Sequence, residues 1–189
     1  MTGKTHQIIG ITSGLAYLLL TLQPIYSPAT LATVIVSCHI AALIPDLDRA
    51  SSMFWNSVPM GKVAGYITEP FIKHRNISHS ILGILIYFGI ARYILYLFPA
   101  YWGVNVPTAL TSAMIAYCSH LIADMITVQG VPLFFPFKRM FGIPPKPFDG
   151  IRIVTGQWFE NFVVFPFVNI LFTALIWTKW GVIHIILLR

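Results

Sequence analysis

The sequence predicts an all-α protein, a polytopic helical membrane protein with about five spans and a short interfacial or re-entrant segment. Three observations carry this. Hydrophobic residues make up 57% of the 189 residues and charged residues 10%, whereas soluble domains carry about 25% charged residues. Mean hydropathy is +0.76. The apolar residues also fall into runs of roughly span length, bounded by proline, glycine or charge. The length admits one membrane-embedded domain over residues 1–189 and leaves no room for a second large one.

The first run, residues 7–22, is uncharged and stops at Pro24 and Pro28, which end a helix. The N-terminus leads straight into it, and retention is expected over cleavage because cleavage would remove His6. The second run, 30–44, contains Ser37 and His39 and stops at Pro45-Asp46-Leu47-Asp48-Arg49. Residues 49–75 are polar, broken by Pro59, Gly61, Gly65 and Pro70, and read as a loop with room for a short interfacial helix. The third and fourth runs are 81–98, interrupted only by Arg92, and 106–128, which contains His120 and Asp124. Residues 131–137 are too short and proline-rich to cross alone and supply the interfacial or re-entrant segment. After the basic, Pro/Gly-rich stretch 138–152, the fifth run covers 159–177. The tail 180–188 is too short to span by itself.

The net charge of +6 need not imply nucleic acid. Basic residues gather in 49–75 and 138–152, while the connections 23–29 and 99–107 carry no charge. Loops of the first kind stay in the cytoplasm, so a multi-pass protein of the inner (cytoplasmic) membrane is expected, with no nucleic-acid partner. Cys38 and Cys118 lie inside apolar runs and imply neither a disulfide framework nor catalysis.

On this topology the ionisable residues fall in one layer. His6 opens the first span, Asp46 and Asp48 close the second, His74 and His79 precede the third, His120 and Asp124 sit one to two turns before the end of the fourth, and Glu160 opens the fifth. Of six acidic residues, five (Asp46, Asp48, Asp124, Asp149 and Glu160) lie in or beside this cytoplasmic layer. His120 and Asp124 are four apart and share one helix face. A carboxylate inside a membrane is costly unless paired or metal-bound. Histidine and carboxylate ligands without convergent thiolates suit a divalent transition metal: zinc first, with manganese and iron as alternatives. The surplus of His6, Asp46, Asp48, His74, His79, His120 and Asp124 suggests one or two ions, with a phosphoryl group held between two of them. The same ligands also suit a metal-ion or proton-coupled transporter, and a noncatalytic membrane scaffold is the third reading. His39 and His184 stand apart as packing residues.

The motifs His6, Ile44-Pro45-Asp46-Leu47-Asp48, His74-Arg75-Asn76-Ile77-Ser78-His79-Ser80, His120-Leu121-Ile122-Ala123-Asp124 and Thr155-Gly156-Gln157-Trp158-Phe159-Glu160 together resemble the YdjM family of inner-membrane proteins over nearly the whole chain. Asn76 stands where that family usually has glycine. The order of His6, Asp46 or Asp48, His79 and the His120/Asp124 pair is also distantly similar to zinc-dependent phospholipase C and the related fungal nucleases. These resemblances imply a metal-dependent hydrolase. The expectation is hydrolysis of a phosphoester, in a phospholipid or other lipid phosphate, at the cytoplasmic face. Arg75, with Arg152 as a second candidate, would neutralise phosphoryl oxygens through the two-pronged contact that Lys lacks. Asp48 or Glu160 would act as general base.

Overall fold

The computed structural model describes residues 1–21, 26–48, 51–57, 59–68, 77–97, 102–137 and 139–188, the side chains of residues 48, 64, 67 and 68 excepted. Among them the chain is helical throughout its regular parts: α1 (Gly3–Leu20), α2 (Pro28–Leu43), α3 (Met53–Ser57), α4 (Gly61–Thr68), α5 (Ile81–Leu97), α6 (Val106–Met125), α7 (Phe165–Thr178) and α8 (Trp180–Leu187). Extended pairing is limited to two isolated bridges, Thr127 with Ile153 and Val131 with Phe141.

Helix α6 is the axis of the bundle, with α1, α2 and α5 packed on it. Its start is set by Asn105, whose side chain accepts from the Thr108 amide, and by Pro107 in the first turn. Close approach to its neighbours follows from small residues. A Cβ added at Gly10 of α1 would stand 2.5 Å from the Ala42 Cβ and 3.4 Å from the Ala116 Cβ, and one at Gly14 would collide with Cys38 and the Ser112 carbonyl. Apolar helices surrounded by lipid gain from such backbone approach rather than from hydrophobic exclusion. The core between them is built of Leu15, Leu18, Val34, Cys38, Ala109, Ala113, Ala116 and Tyr117, all nearly or wholly inaccessible.

The expectation of about five spans is corrected. Among the described residues, three helical stretches are long and apolar enough to cross a membrane: Pro28–Leu47, Val106–Met125 and Glu160–Thr178. The apolar helix Ile81–Leu97 has 17 residues. At 1.5 Å per residue it reaches about 25 Å, short of a hydrocarbon core of roughly 30 Å. Helix α1 is diluted at its start by Lys4, Thr5, His6 and Gln7, and further on by Thr12 and Ser13. The loop after the second run holds two short helices, α3 and α4, where one was expected. Residues 131–137 are non-helical turns, anchored by reciprocal Val131 and Phe141 backbone bonds of 2.8 and 2.7 Å. The chain breaks its last helix at Lys179, and α8 turns Ile183 and Ile186 into the core.

Candidate metal centre

Four local devices deliver the five histidines and carboxylates of the centre. His6 sits in the first turn of α1, its amide bonded to the Thr2 carbonyl at 3.0 Å. Asp46 lies in the 3-10 turn Ile44–Asp48 that continues α2 after Pro45 enters the chain. His79 occupies the turn before α5. There Ser80 caps the helix, its hydroxyl accepting from the Gly83 amide at 3.2 Å. Tyr117 of α6 donates its hydroxyl proton to the Ser78 carbonyl and pins that turn against the bundle. Gly83 permits the approach, since a Cβ there would meet Ser78 Cα at 3.0 Å. His120 and Asp124 lie on one face of α6, as their spacing requires.

These five side chains converge. His6 Nε2 is 3.1 Å from Asp124 Oδ1, His79 Nε2 is 3.5 Å from Asp124 Oδ2 and 3.8 Å from Asp46 Oδ1, and His120 Nε2 is 3.9 Å from both Asp124 Oδ2 and Asp46 Oδ1. The His6 and His120 rings stack at 3.6 Å and 12°, and His79 meets His120 edge-on at 5.3 Å. Two overlapping ligand groups result: His6, His120 and Asp124, and Asp46, His79 and His120. All are buried except Asp46, whose side chain keeps 19% of its surface and forms the open edge of the cluster. The Met1 amine also lies against Asp124 Oδ1.

Hydrogen bonding on the outer side of the rings decides which nitrogen faces inward. His120 Nδ1 is 2.7 Å from the Ala42 carbonyl. A carbonyl can only accept, so Nδ1 holds the proton and, in the neutral ring, Nε2 presents its lone pair to the cluster. His79 Nδ1 lies 3.1 Å from the Ser78 hydroxyl, which likewise leaves Nε2 toward the carboxylates. His120 Nε2 and His6 Nδ1 are buried with no hydrogen-bond partner. The donor set fits a divalent transition metal. Two ligand atoms each 2.0–2.2 Å from a tetrahedral ion stand about 3.3–3.6 Å apart, close to the 3.1–3.9 Å separations found here.

Not every expected residue joins this cluster. Glu160 is fully buried, but its carboxylate accepts from the Thr2 amide at 2.6 Å, the Thr2 hydroxyl at 2.8 Å and the Gly156 amide at 2.7 Å. It opens the π-helical turn Glu160–Val164 and ties the segment before His6 to the last span. The spare carboxylate expected at this position is therefore occupied as a structural clamp. Arg152 donates Nε to the Pro144 carbonyl at 2.8 Å and holds its own loop. Asp149 lies in the Phe148–Ile151 turn, outside both ligand groups. His39 bonds Gln7 at 2.9 Å, and His184 sits in the last turn of α8. Asp48 closes the 3-10 turn with a side chain outside those described, and His74 and Arg75 lie outside the described residues. Sequence reasoning missed Ser78, Gly83, Tyr117 and the Ala42 carbonyl. Only Ser78, next to His79, carried a readable signal.

A helical membrane protein whose buried His/Asp cluster can hold a metal ion is the class that fold and site define. The chain belongs to the YdjM inner membrane protein family, matched over residues 1–186. It is 27% identical over 147 residues to the inner membrane protein YdjM of Escherichia coli (strain K12) and to that of Shigella flexneri, covering 76% of this chain and 70% of each relative. It is 30% identical over 166 residues to the uncharacterized protein YvsG of Bacillus subtilis (strain 168), covering 87% of this chain and 88% of the relative. No solved structure matches it.

Proposed function

We propose that the chain is a metal-dependent hydrolase of the inner membrane, cleaving a phosphoester in a lipid headgroup at the cytoplasmic face. The observation that carries this reading is the buried, proton-free Nε2 of His120. It converges with His6, His79, Asp46 and Asp124 and has no hydrogen-bond partner. A purely structural cluster pairs its buried nitrogens, because each one left unpaired costs about 1–3 kcal/mol.

The five described ligands would hold a divalent transition metal, zinc by donor type, and the two overlapping groups would allow a second ion. Such a metal supplies Lewis-acid polarisation of a phosphoryl oxygen and activation of water at neutral pH. The residues do the rest. Asp124 offsets positive charge between His6 and His79. Asp46, at the open edge, marks where a headgroup enters. Arg75 is assigned to the phosphoryl oxygens, since a guanidinium has no lone pair for a metal and matches phosphate with two donors. With Glu160 engaged elsewhere, the general base falls to Asp48. The basic loops support the cytoplasmic orientation.

Elemental analysis of purified wild type, Asp124→Ala and His79→Ala tests the metal. Wild type should carry one or two transition-metal ions and both variants should lose them while keeping their helical circular dichroism. Full occupancy in both removes these residues from the ligand set. Arg75→Lys should keep its metal and lose about tenfold or more of its turnover on phospholipids and isoprenoid phosphates, one charge-assisted contact being worth about 1.5–3 kcal/mol. Metal or proton flux without cleavage of any ester would assign the site to transport instead, and a protein purified without metal would point to a scaffold.

A further inference from the structure

Helices α2 and α5 both pack on α6 and leave between them an apolar trough of about 440 Å³. Its floor and walls include Ala32, Val36, Ile40 and Ile44 of α2 with Ile90 and Ile94 of α5. On α2 the lining runs from Ala29 to Ile44, about 22 Å at 1.5 Å per residue, against a hydrocarbon core of roughly 30 Å. It therefore follows a membrane-spanning helix for most of the bilayer's depth. Ile44, at one end, opens the same 3-10 turn that carries Asp46, the most accessible ligand of the metal centre. The trough thus ends two residues from Asp46 in the chain.

Its chemistry is that of hydrocarbon. Of the three hydroxyls among its lining residues, Thr33 donates to the Ala29 carbonyl at 2.8 Å and Ser37 to the Val34 carbonyl at 3.2 Å within their own helix, and the third is that of Tyr87, whose ring stacks on Tyr117. The rest of the α2 wall is aliphatic, and so is the α5 wall from Ile90 to Leu95, with Tyr87 as its one polar-tipped residue. We propose that the α2–α5 trough seats one hydrocarbon chain of a membrane lipid whose phosphate lies at the Asp46 edge. The choice of headgroup rests on the phosphoester reading above; the seat for the chain does not. Because a lipid chain is in hydrocarbon whether bound or free, the trough contributes position more than affinity. It lines the chain up so that a tethered headgroup reaches the ligands, which raises the local concentration of the ester there.

The test uses the full chain in nanodiscs of phosphatidylcholine doped with a phosphatidic acid that carries a diazirine on one acyl chain. After irradiation, mass spectrometry should place the label on Ile40, Ile44, Ile90 or Ile94. Unlabelled phosphatidic acid should compete it away, and extra phosphatidylcholine should not. Val36→Trp and Ala32→Trp should lose this label by filling the trough, with metal content unchanged. Leu85→Trp, equally lipid-exposed but outside the trough, should retain it. Uncompeted labelling of the trough to the same extent as the exposed Phe167 and Ile170 on α7 would mean bulk lipid only and overturn the proposal. Disulfide-linked dimers of Val36→Cys without chain label would assign the trough to a second copy and also overturn it. The two readings fail separately. Competed label without turnover of any lipid phosphate leaves the seat and removes the hydrolase, whereas wild-type turnover in Val36→Trp leaves the hydrolase and removes the seat.

Discussion

The two ends of α6 both gather polar groups and treat them in opposite ways. At the start, Asn105 accepts from the Thr108 amide at 3.1 Å and gives its own amide to the Thr30 hydroxyl at 2.9 Å. Ser27 in turn bonds the Thr30 hydroxyl at 2.9 Å and the Gly103 carbonyl at 3.1 Å. That network closes on itself and joins the entrances of α2 and α6. At the other end, His120 and Asp124 bring together three imidazoles and two carboxylates, and His120 Nε2 and His6 Nδ1 are left with no hydrogen-bond partner. The first arrangement holds helices together. In the second, His120 Nε2 presents an unpaired lone pair to the space it shares with the two carboxylates, which costs stability until a cation fills it. Polarity along one helix is thus divided between a half-exposed lock and a buried receptor, and the state of the hydrogen bonds tells them apart.

The comparison is broken most severely from the receptor end. His120→Ala should cut bound metal by about a hundredfold or more, removing a ligand shared by both groups, and isothermal titration of the metal-stripped protein reads it directly. Retention of wild-type affinity would show that the cluster is not a ligand set. The next effect is indirect. In Gly83→Ala the new Cβ meets the backbone of Ser78 and displaces the His79 turn. Metal affinity should fall about tenfold, in the range found when groups that orient ligands are disturbed. An unchanged titration would separate His79 from the site. The smallest effect lies at the lock. Asn105→Ala should cost about 1 kcal/mol as a lost helix cap, seen as a lower midpoint in detergent-denaturant unfolding, with metal affinity unaltered. Loss of metal in that variant would mean that the two ends are not independent.

How much of this was legible in sequence follows from the kind of force involved. The apolar runs announced the helices to within a few residues, because lipid solvent admits little else. The layer argument brought His6, Asp46, His79, His120 and Asp124 to one place, since membrane crossing fixes depth for residues far apart in sequence. Span counting failed for α1, where polar residues needed by the site and by packing lower the hydropathy of a helix that is otherwise apolar. Depth also could not resolve lateral position. Glu160 shares the layer, yet its oxygens are taken by Thr2 and Gly156, a distinction of a few ångströms that no spacing encodes. The Gly10-x-x-x-Gly14 pattern could have been read as a packing face. The Tyr117 to Ser78 and His120 to Ala42 bonds could not, because they join elements through tertiary contact alone.

The clamp between Glu160 and Thr2 also sets a timetable. A ribosome delivers His6 before Glu160, with the other four described ligands emerging between them. The turn that steadies the first imidazole therefore belongs to the Glu160–Thr178 stretch, made after all the other ligands. Until that helix arrives, Asp46, His79, His120 and Asp124 can be in place while His6 lacks its anchor. Completion of the cation-binding set is in this way coupled to synthesis of the Glu160–Thr178 stretch, and a protein truncated before Phe159 would carry all of these ligands without the tether that steadies His6.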